Sequence, residues 1–96
     1  MSTVNYNWYF DRRGDLRRSV NDTKGLVPGE DFSREKCAKY CLKGVKNNQC
    51  LGFDICTNGM CFVLTDQADF EDKEEEVPQE ESIKCSRFTR KLFTLI

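Results

Sequence analysis

The 96-residue chain contains no histidine. Acid–base or nucleophilic chemistry built on an imidazole is therefore excluded. The six cysteines include no Cys-x-x-Cys pair, so the knuckles of a structural zinc site are missing. The acidic run of the C-terminal half lacks the ordered alternation and the turn glycine of a calcium loop. Basic excess is absent as well, with 15 Lys/Arg against 16 Asp/Glu, and this argues against nucleic acid as a partner. No apolar run is long enough to cross a membrane, and Met1-Ser2-Thr3-Val4-Asn5-Tyr6 lacks the apolar core of a signal peptide. A secreted protein with this sequence is expected to be a mature form or an excised domain with an added Met1. No enzymatic activity, metal or cofactor is expected.

What the chain has is cysteine. Cys37 and Cys41 are spaced i, i+4 in a segment that reads as a helix, which puts both on one face. Cys50, Cys56, Cys61 and Cys85 follow. A chain this short buries a modest core and benefits from covalent closure. An even number of cysteines in a small charged chain points to disulfides and an oxidising, extracellular compartment. Asn21-Asp22-Thr23 is a glycosylation sequon that fits secretion, with Asn21 the acceptor. The near-zero net charge hides an asymmetry. Residues 1–48 carry ten Lys/Arg and six Asp/Glu, and residues 49–96 carry five and ten.

Residues 1–96 read as one domain with its core over about 6–90. Val4 to Phe10 is aromatic and β-prone and predicts a strand. Asp11 to Arg18 predicts a charged turn or loop, and Leu26-Val27-Pro28-Gly29 a short apolar piece ended by a turn. A helix is expected over about residues 34–43, with Ser33 as N-cap, Glu35 in the first turn, Gly44 as C-terminal stop and Phe32 stapled back near Cys37. Leu51, Phe53 and Ile55 alternate with Gly52, Asp54 and Cys56 as a strand. Asn58-Gly59 predicts a two-residue type I′ hairpin into a return strand from Cys61 to Leu64. Residues 66–81 predict a mobile acidic loop. Ile83 to Phe88 predicts a final strand, extended by Leu92 to Ile96. The expected fold class is α+β: one helix packed on a small antiparallel sheet and stapled by disulfides.

This order of elements, with Cys37, Cys41, Cys50, Phe53 and Cys61 at their spacings, resembles the PAN/apple family over roughly residues 6–90. The resemblance implies an extracellular binding module that recognises a protein or a glycan. The family's pairing, carried over, gives Cys37–Cys61 and Cys41–Cys50, and leaves Cys56 with Cys85. Apple domains proper tie a cysteine near the N-terminus to one near the C-terminus, and this chain has no N-terminal partner for Cys85. A rival stays open. A two-residue Asn-Gly turn puts Cys56 opposite Cys61, which permits a cross-strand Cys56–Cys61 bond and leaves Cys37 for Cys85.

Three candidate ligand sites stand out. Arg12, Arg13, Arg17 and Arg18, with Lys24 nearby, form a basic cluster suited to a sulfated, heparin-like glycan or an acidic protein surface. Within it, Arg13-Gly14-Asp15 is similar to the integrin-binding motif of adhesive proteins, in which a carboxylate completes a receptor-bound cation. A secreted integrin-directed effector is therefore the alternative reading. On the helix, Lys39, Tyr40 and Lys43 are the third candidate, because a growth-factor member of the PAN/apple family binds heparin through basic residues around its helix. Tyr6, Trp8, Tyr9 and Tyr40 are suited to stacking a sugar, although aromatics on a first strand more often fill a core. The chain is expected either to stand alone or to form one module of a larger multidomain protein.

Overall fold

The computed structural model describes residues 8–44, 49–70 and 81–91. Five elements follow one another: β1 (Phe10–Ser19), α1 (Arg34–Lys43), β2 (Gly52–Cys56), β3 (Cys61–Leu64) and β4 (Ser82–Arg90). The strands form one antiparallel sheet in the order β1-β4-β2-β3, and α1 packs against β2 and β3. This is the expected α+β architecture, with one helix laid on a small sheet.

The helix begins and ends where its caps dictate. Ser33 Oγ accepts from the Lys36 backbone N–H at 3.1 Å, and the Gly44 N–H closes the last turn on the Cys41 carbonyl at 3.0 Å. Cys37, Ala38 and Cys41 form the buried face. The face is bolted to the sheet by Cys37–Cys61 and to the chain just before β2 by Cys41–Cys50. Cys56 and Cys85 stand opposite each other on β2 and β4 and form the third bond. Phe10, Phe53 and Phe88 complete the core beneath the helix, with Phe53 edge-on to Phe10 and stacked on Phe88. Phe32 packs against the same cluster, as a staple requires.

The hairpin departs from the two-residue type I′ turn. Ile55, not Cys56, pairs with Cys61, so the loop holds three residues, Thr57-Asn58-Gly59. The Gly59 N–H bonds the Cys56 carbonyl at 2.9 Å, and the Cys56 N–H bonds the Met60 carbonyl at 2.9 Å. Gly59 takes φ 85°, while Asn58 is not among the positive-φ residues, so the type I′ requirement of two such residues is not met. The Asn58 side chain instead accepts from the Met60 N–H at 3.1 Å. The one-residue shift puts Cys61 on the helix face with Ile55, where it bonds Cys37, and Cys56 stays on the opposite face against Cys85.

Three further segments differ from the sequence reading. Residues 11–18, expected as a charged loop, form most of β1, while Trp8 and Tyr9 precede the strand. Charge is no obstacle to an edge strand, because alternate side chains reach water. Of the strand expected over residues 4–10, residues 4–7 lie outside the described residues. Within the expected acidic loop, Gln67–Phe70 form a 3₁₀ turn with Phe70 buried. Asp69 organises it by accepting from the Thr65 and Asp66 N–H groups, each at 3.1 Å. Residues 71–80 and the proposed extension over 92–96 lie outside the described residues. The expected final strand is present as β4 and begins one residue early, at Ser82.

Both sheet faces are covered along β2, all five of whose residues are buried. Behind the helix-distant face, Cys56, Phe62 and Cys85 make a second cluster with Leu16, Leu26, Met60 and Ile83. Gly25 to Val27 run along the outer edge of β3, where the Val27 N–H bonds the Cys61 carbonyl at 2.9 Å and the Val63 N–H bonds the Gly25 carbonyl at 2.8 Å.

Candidate anion-binding face

The register of β1 against β4 decides where its arginines point. Arg12 pairs with Phe88, but Gly14 pairs with Arg87, so Arg13 is an extra residue and the strand carries a β-bulge. Gly14 takes φ 149°, a conformation that L side chains rarely adopt. Beyond the bulge the facing of every side chain is reset. Arg12, Asp15 and Arg17 lie on the helix side of the sheet, with Lys84 and Ser86 of β4. Leu16 and Arg18 lie on the other side, with Cys85 and Ile83.

On the helix side an exposed cluster results. Arg12 Nη2 donates to Asp15 Oδ1 at 2.7 Å, Ser86 Oγ donates to the same oxygen at 3.1 Å, and Lys84 Nζ stands 3.6 Å from Asp15 Oδ2. Arg17 Nη1 donates to Ser82 Oγ at 3.1 Å. Two cations, Arg12 and Lys84, thus share one carboxylate, and Arg17 stands on the same face with its hydrogen bond to Ser82. The hydrogen bond from Arg12, then that from Ser86, holds the Asp15 carboxyl below the ordinary carboxylate value. Arg34, in the first turn of α1, reaches over Phe88 at 5.7 Å from the ring centroid, and Phe88 is the register partner of Arg12. The cationic surface therefore continues toward the helix.

Arg18 does not belong to this face, contrary to the sequence reading. Its side chain is 10% exposed. Its guanidinium lies 3.9 Å over the Phe62 ring and bonds Asp54 at 2.5 Å, Asp22 at 2.9 Å and the Lys24 carbonyl at 3.1 Å. Arg87 grips the same Asp54 carboxylate with two bonds, of 2.8 and 2.9 Å. Asp54 is fully buried, and a carboxylate removed from water requires such partners. The Arg18–Asp54–Arg87 group ties β1, β2 and β4 together. Sequence reasoning took Asp54 for a strand residue alternating with apolar ones. The available signal was an acid in the middle of an apolar run, which demands a buried cation.

Arg13 is separated too. Its guanidinium stands 5.6 Å from the Phe70 ring centroid. Arg13-Gly14-Asp15 is not a tight loop but the bulge of a strand, with Asp15 engaged by three neighbours. The geometry assumed for an integrin motif, a guanidinium and a carboxylate at opposite ends of a glycine turn, is therefore absent. Lys24 pairs with Asp69 at 2.9 Å, which raises its pKa, and so serves the 3₁₀ turn.

On α1, Lys39, Tyr40 and Lys43 are exposed along one helical stripe with Lys36. They sit on the helix and the β1 cluster sits on the strands, so they form a second patch. Asn21 is exposed in the turn after β1. Of the strand aromatics only Phe10 enters the core; Trp8 is 66% exposed and Tyr9 and Tyr40 are exposed as well, while Tyr6 lies outside the described residues. Among the described residues no helix is long and apolar enough to cross a membrane. No family model matches the chain, and neither a curated protein nor a solved structure shows significant similarity to it.

Proposed function

We propose that the chain is a PAN/apple-like extracellular binding module, without catalytic activity, that recognises a sulfated glycan through the helix-side face of β1 and β4. The observation that carries the reading is the exposed group of Arg12, Arg17 and Lys84 on one face of β1 and β4, with Arg12 and Lys84 on the Asp15 carboxylate and Arg17 on the Ser82 hydroxyl. Sulfate groups spaced along a polysaccharide suit cations held at fixed positions on a pleated sheet, because each charge meets one anion without reorganising the backbone. Arginine adds planar, two-pronged donation to sulfate oxygens. The exposed Trp8, just before β1, offers an apolar surface to a sugar ring.

Two observations support the family and the compartment. Cys37–Cys61 and Cys41–Cys50 follow the pairing that the PAN/apple resemblance implies, and Cys56–Cys85 joins the two cysteines that this pairing leaves over. Three disulfides with no free cysteine also fit an oxidising compartment.

The test is binding to immobilised heparin. Affinity is expected to fall steeply between low and physiological salt, and the triple change Arg12→Ala, Arg17→Ala, Lys84→Ala to abolish it. Asp15→Ala is expected to leave binding intact or strengthen it. Loss of cell adhesion on Asp15→Glu with unchanged heparin binding would instead favour an integrin-directed role. Unchanged binding in the triple variant, with loss on changing Lys39 and Lys43, would move the site to the helix.

A further inference from the structure

The two edges of the sheet differ. The outer edge of β3 is closed by residues 25–27, whereas the outer edge of β1 from Phe10 to Arg17 has no backbone partner among the described residues. We propose that this edge pairs with a second copy of the chain, antiparallel and in one defined register, to give a continuous eight-stranded sheet. This goes beyond the glycan reading and does not depend on it.

The register follows from the hydrogen bonds of β4. The Lys84 carbonyl and the Arg90 N–H point to the β2 side, where they bond Thr57 and Leu51. Backbone direction alternates along a strand, so Ile83, Cys85, Arg87 and Thr89 point to β1. Their partners Arg18, Leu16, Gly14 and Asp11 consequently point inward. The Tyr9 carbonyl and the Val20 N–H, bonded to Lys91 and Glu81, agree with this at the two ends. Between Phe10 and Arg17, the residues whose N–H and C=O groups face outward are thus Phe10, Arg12, Asp15 and Arg17. The bulge breaks their spacing, with two steps on either side and three in the middle.

That irregular spacing restricts self-pairing. Opposing Phe10 with Arg17 of the second copy, and Arg12 with Asp15, is the register in which every outward residue from Phe10 to Arg17 meets an outward residue. Bulge then faces bulge. A shift that opposes Arg12 with Arg17 brings like charges together and sets outward Asp15 against inward Gly14. The favoured register places unlike charges opposite each other twice, Arg12 with Asp15 and Asp15 with Arg12, on the same face of the joined sheet. Charged residues and bulges ordinarily protect an edge strand from promiscuous pairing. Here the same devices are self-complementary, and they select one partner.

The experiment is sedimentation equilibrium over a wide concentration range, paired with residue-resolved amide exchange on the unmodified protein. A monomer–dimer equilibrium is expected. The amides of Phe10, Arg12, Asp15 and Arg17 are expected to gain protection as concentration rises. Arg12→Asp should raise the dimer dissociation constant at least about tenfold, since two cross-strand attractions become repulsions, and Arg12→Asp with Asp15→Arg should restore it. Arg17→Pro removes an outward N–H without touching a β4 bond, so a folded monomer is expected. A monomer at every concentration overturns the proposal. So does a dimer indifferent to Arg12→Asp, or one whose outward amides exchange equally fast at all concentrations, because both place the contact elsewhere. Lys84→Ala separates the two readings: it is expected to weaken heparin binding and leave the dimer unchanged.

Discussion

Arg18 meets Asp54 at 2.5 Å across 36 positions of sequence, while its guanidinium lies over the Phe62 ring. The contact converts a residue of a basic, seemingly solvent-facing run into a fastening between the edge strand and the centre of the sheet. It also separates the arginines of β1 by role. Arg12 and Arg17 remain at the surface, and Arg18 is consumed by structure.

Arg18→Ala is accordingly expected to destabilise the fold by about 3–5 kcal/mol, because it leaves part of the charge on a buried carboxylate uncompensated. Urea unfolding measures this. Heparin affinity of the folded variant should be close to that of the parent. A stable Arg18→Ala protein with lost affinity would return Arg18 to the ligand site.

Binding should be flat with pH from 8 to 5, since the chain has no histidine to titrate. On the acid side it should strengthen. The Asp15 carboxylate opposes an anionic ligand, and its lowered pKa delays neutralisation until the pH falls below the ordinary carboxylate value. Dextran sulfate, which carries no carboxylates, is the probe. Asp15→Asn should raise affinity at pH 7 by about two- to fivefold and remove the acid rise. An acid rise that persists in Asp15→Asn would assign it to other carboxylates.

Gly59→Ala should cost about 1–3 kcal/mol. Its φ of 85° disfavours a side chain, and a Cβ there would come within 2.9 Å of the Asp31 Cα. Thermal unfolding reads the loss. Asn58→Gly should be mild by comparison, because only the side-chain bond to Met60 is given up.

Much of the fold was legible because its signals are local. Ser33 and Gly44 bracket α1, the i, i+4 spacing of Cys37 and Cys41 marks its buried face, and alternation marks β4. The bulge at Arg13 was not legible. It depends on the register between strands separated by more than sixty residues, and a one-residue slip exchanges the faces of everything that follows. For the same reason the site was half visible: the basic run was found, but the inward turn of Arg18 and the arrival of Lys84 beside Asp15 are tertiary facts. The hairpin failed at finer grain. Asn-Gly marks a turn in either case, and whether its loop holds two residues or three is decided by the strands around it.

The Cys56–Cys85 bond has a consequence for how the chain survives proteolysis. A peptide bond cut anywhere between these two cysteines frees neither piece, because the bond joins what lies before the cut to what lies after it. Such a nicked molecule would keep its mass apart from one added water, and would run as a single species until a reductant is supplied. The stretch of Asp and Glu between residues 71 and 76 lies inside that span. An acid-directed protease acting there would therefore yield a two-chain form that retains β4, the Lys84 side of the basic face, and the neighbour that holds β1 in place.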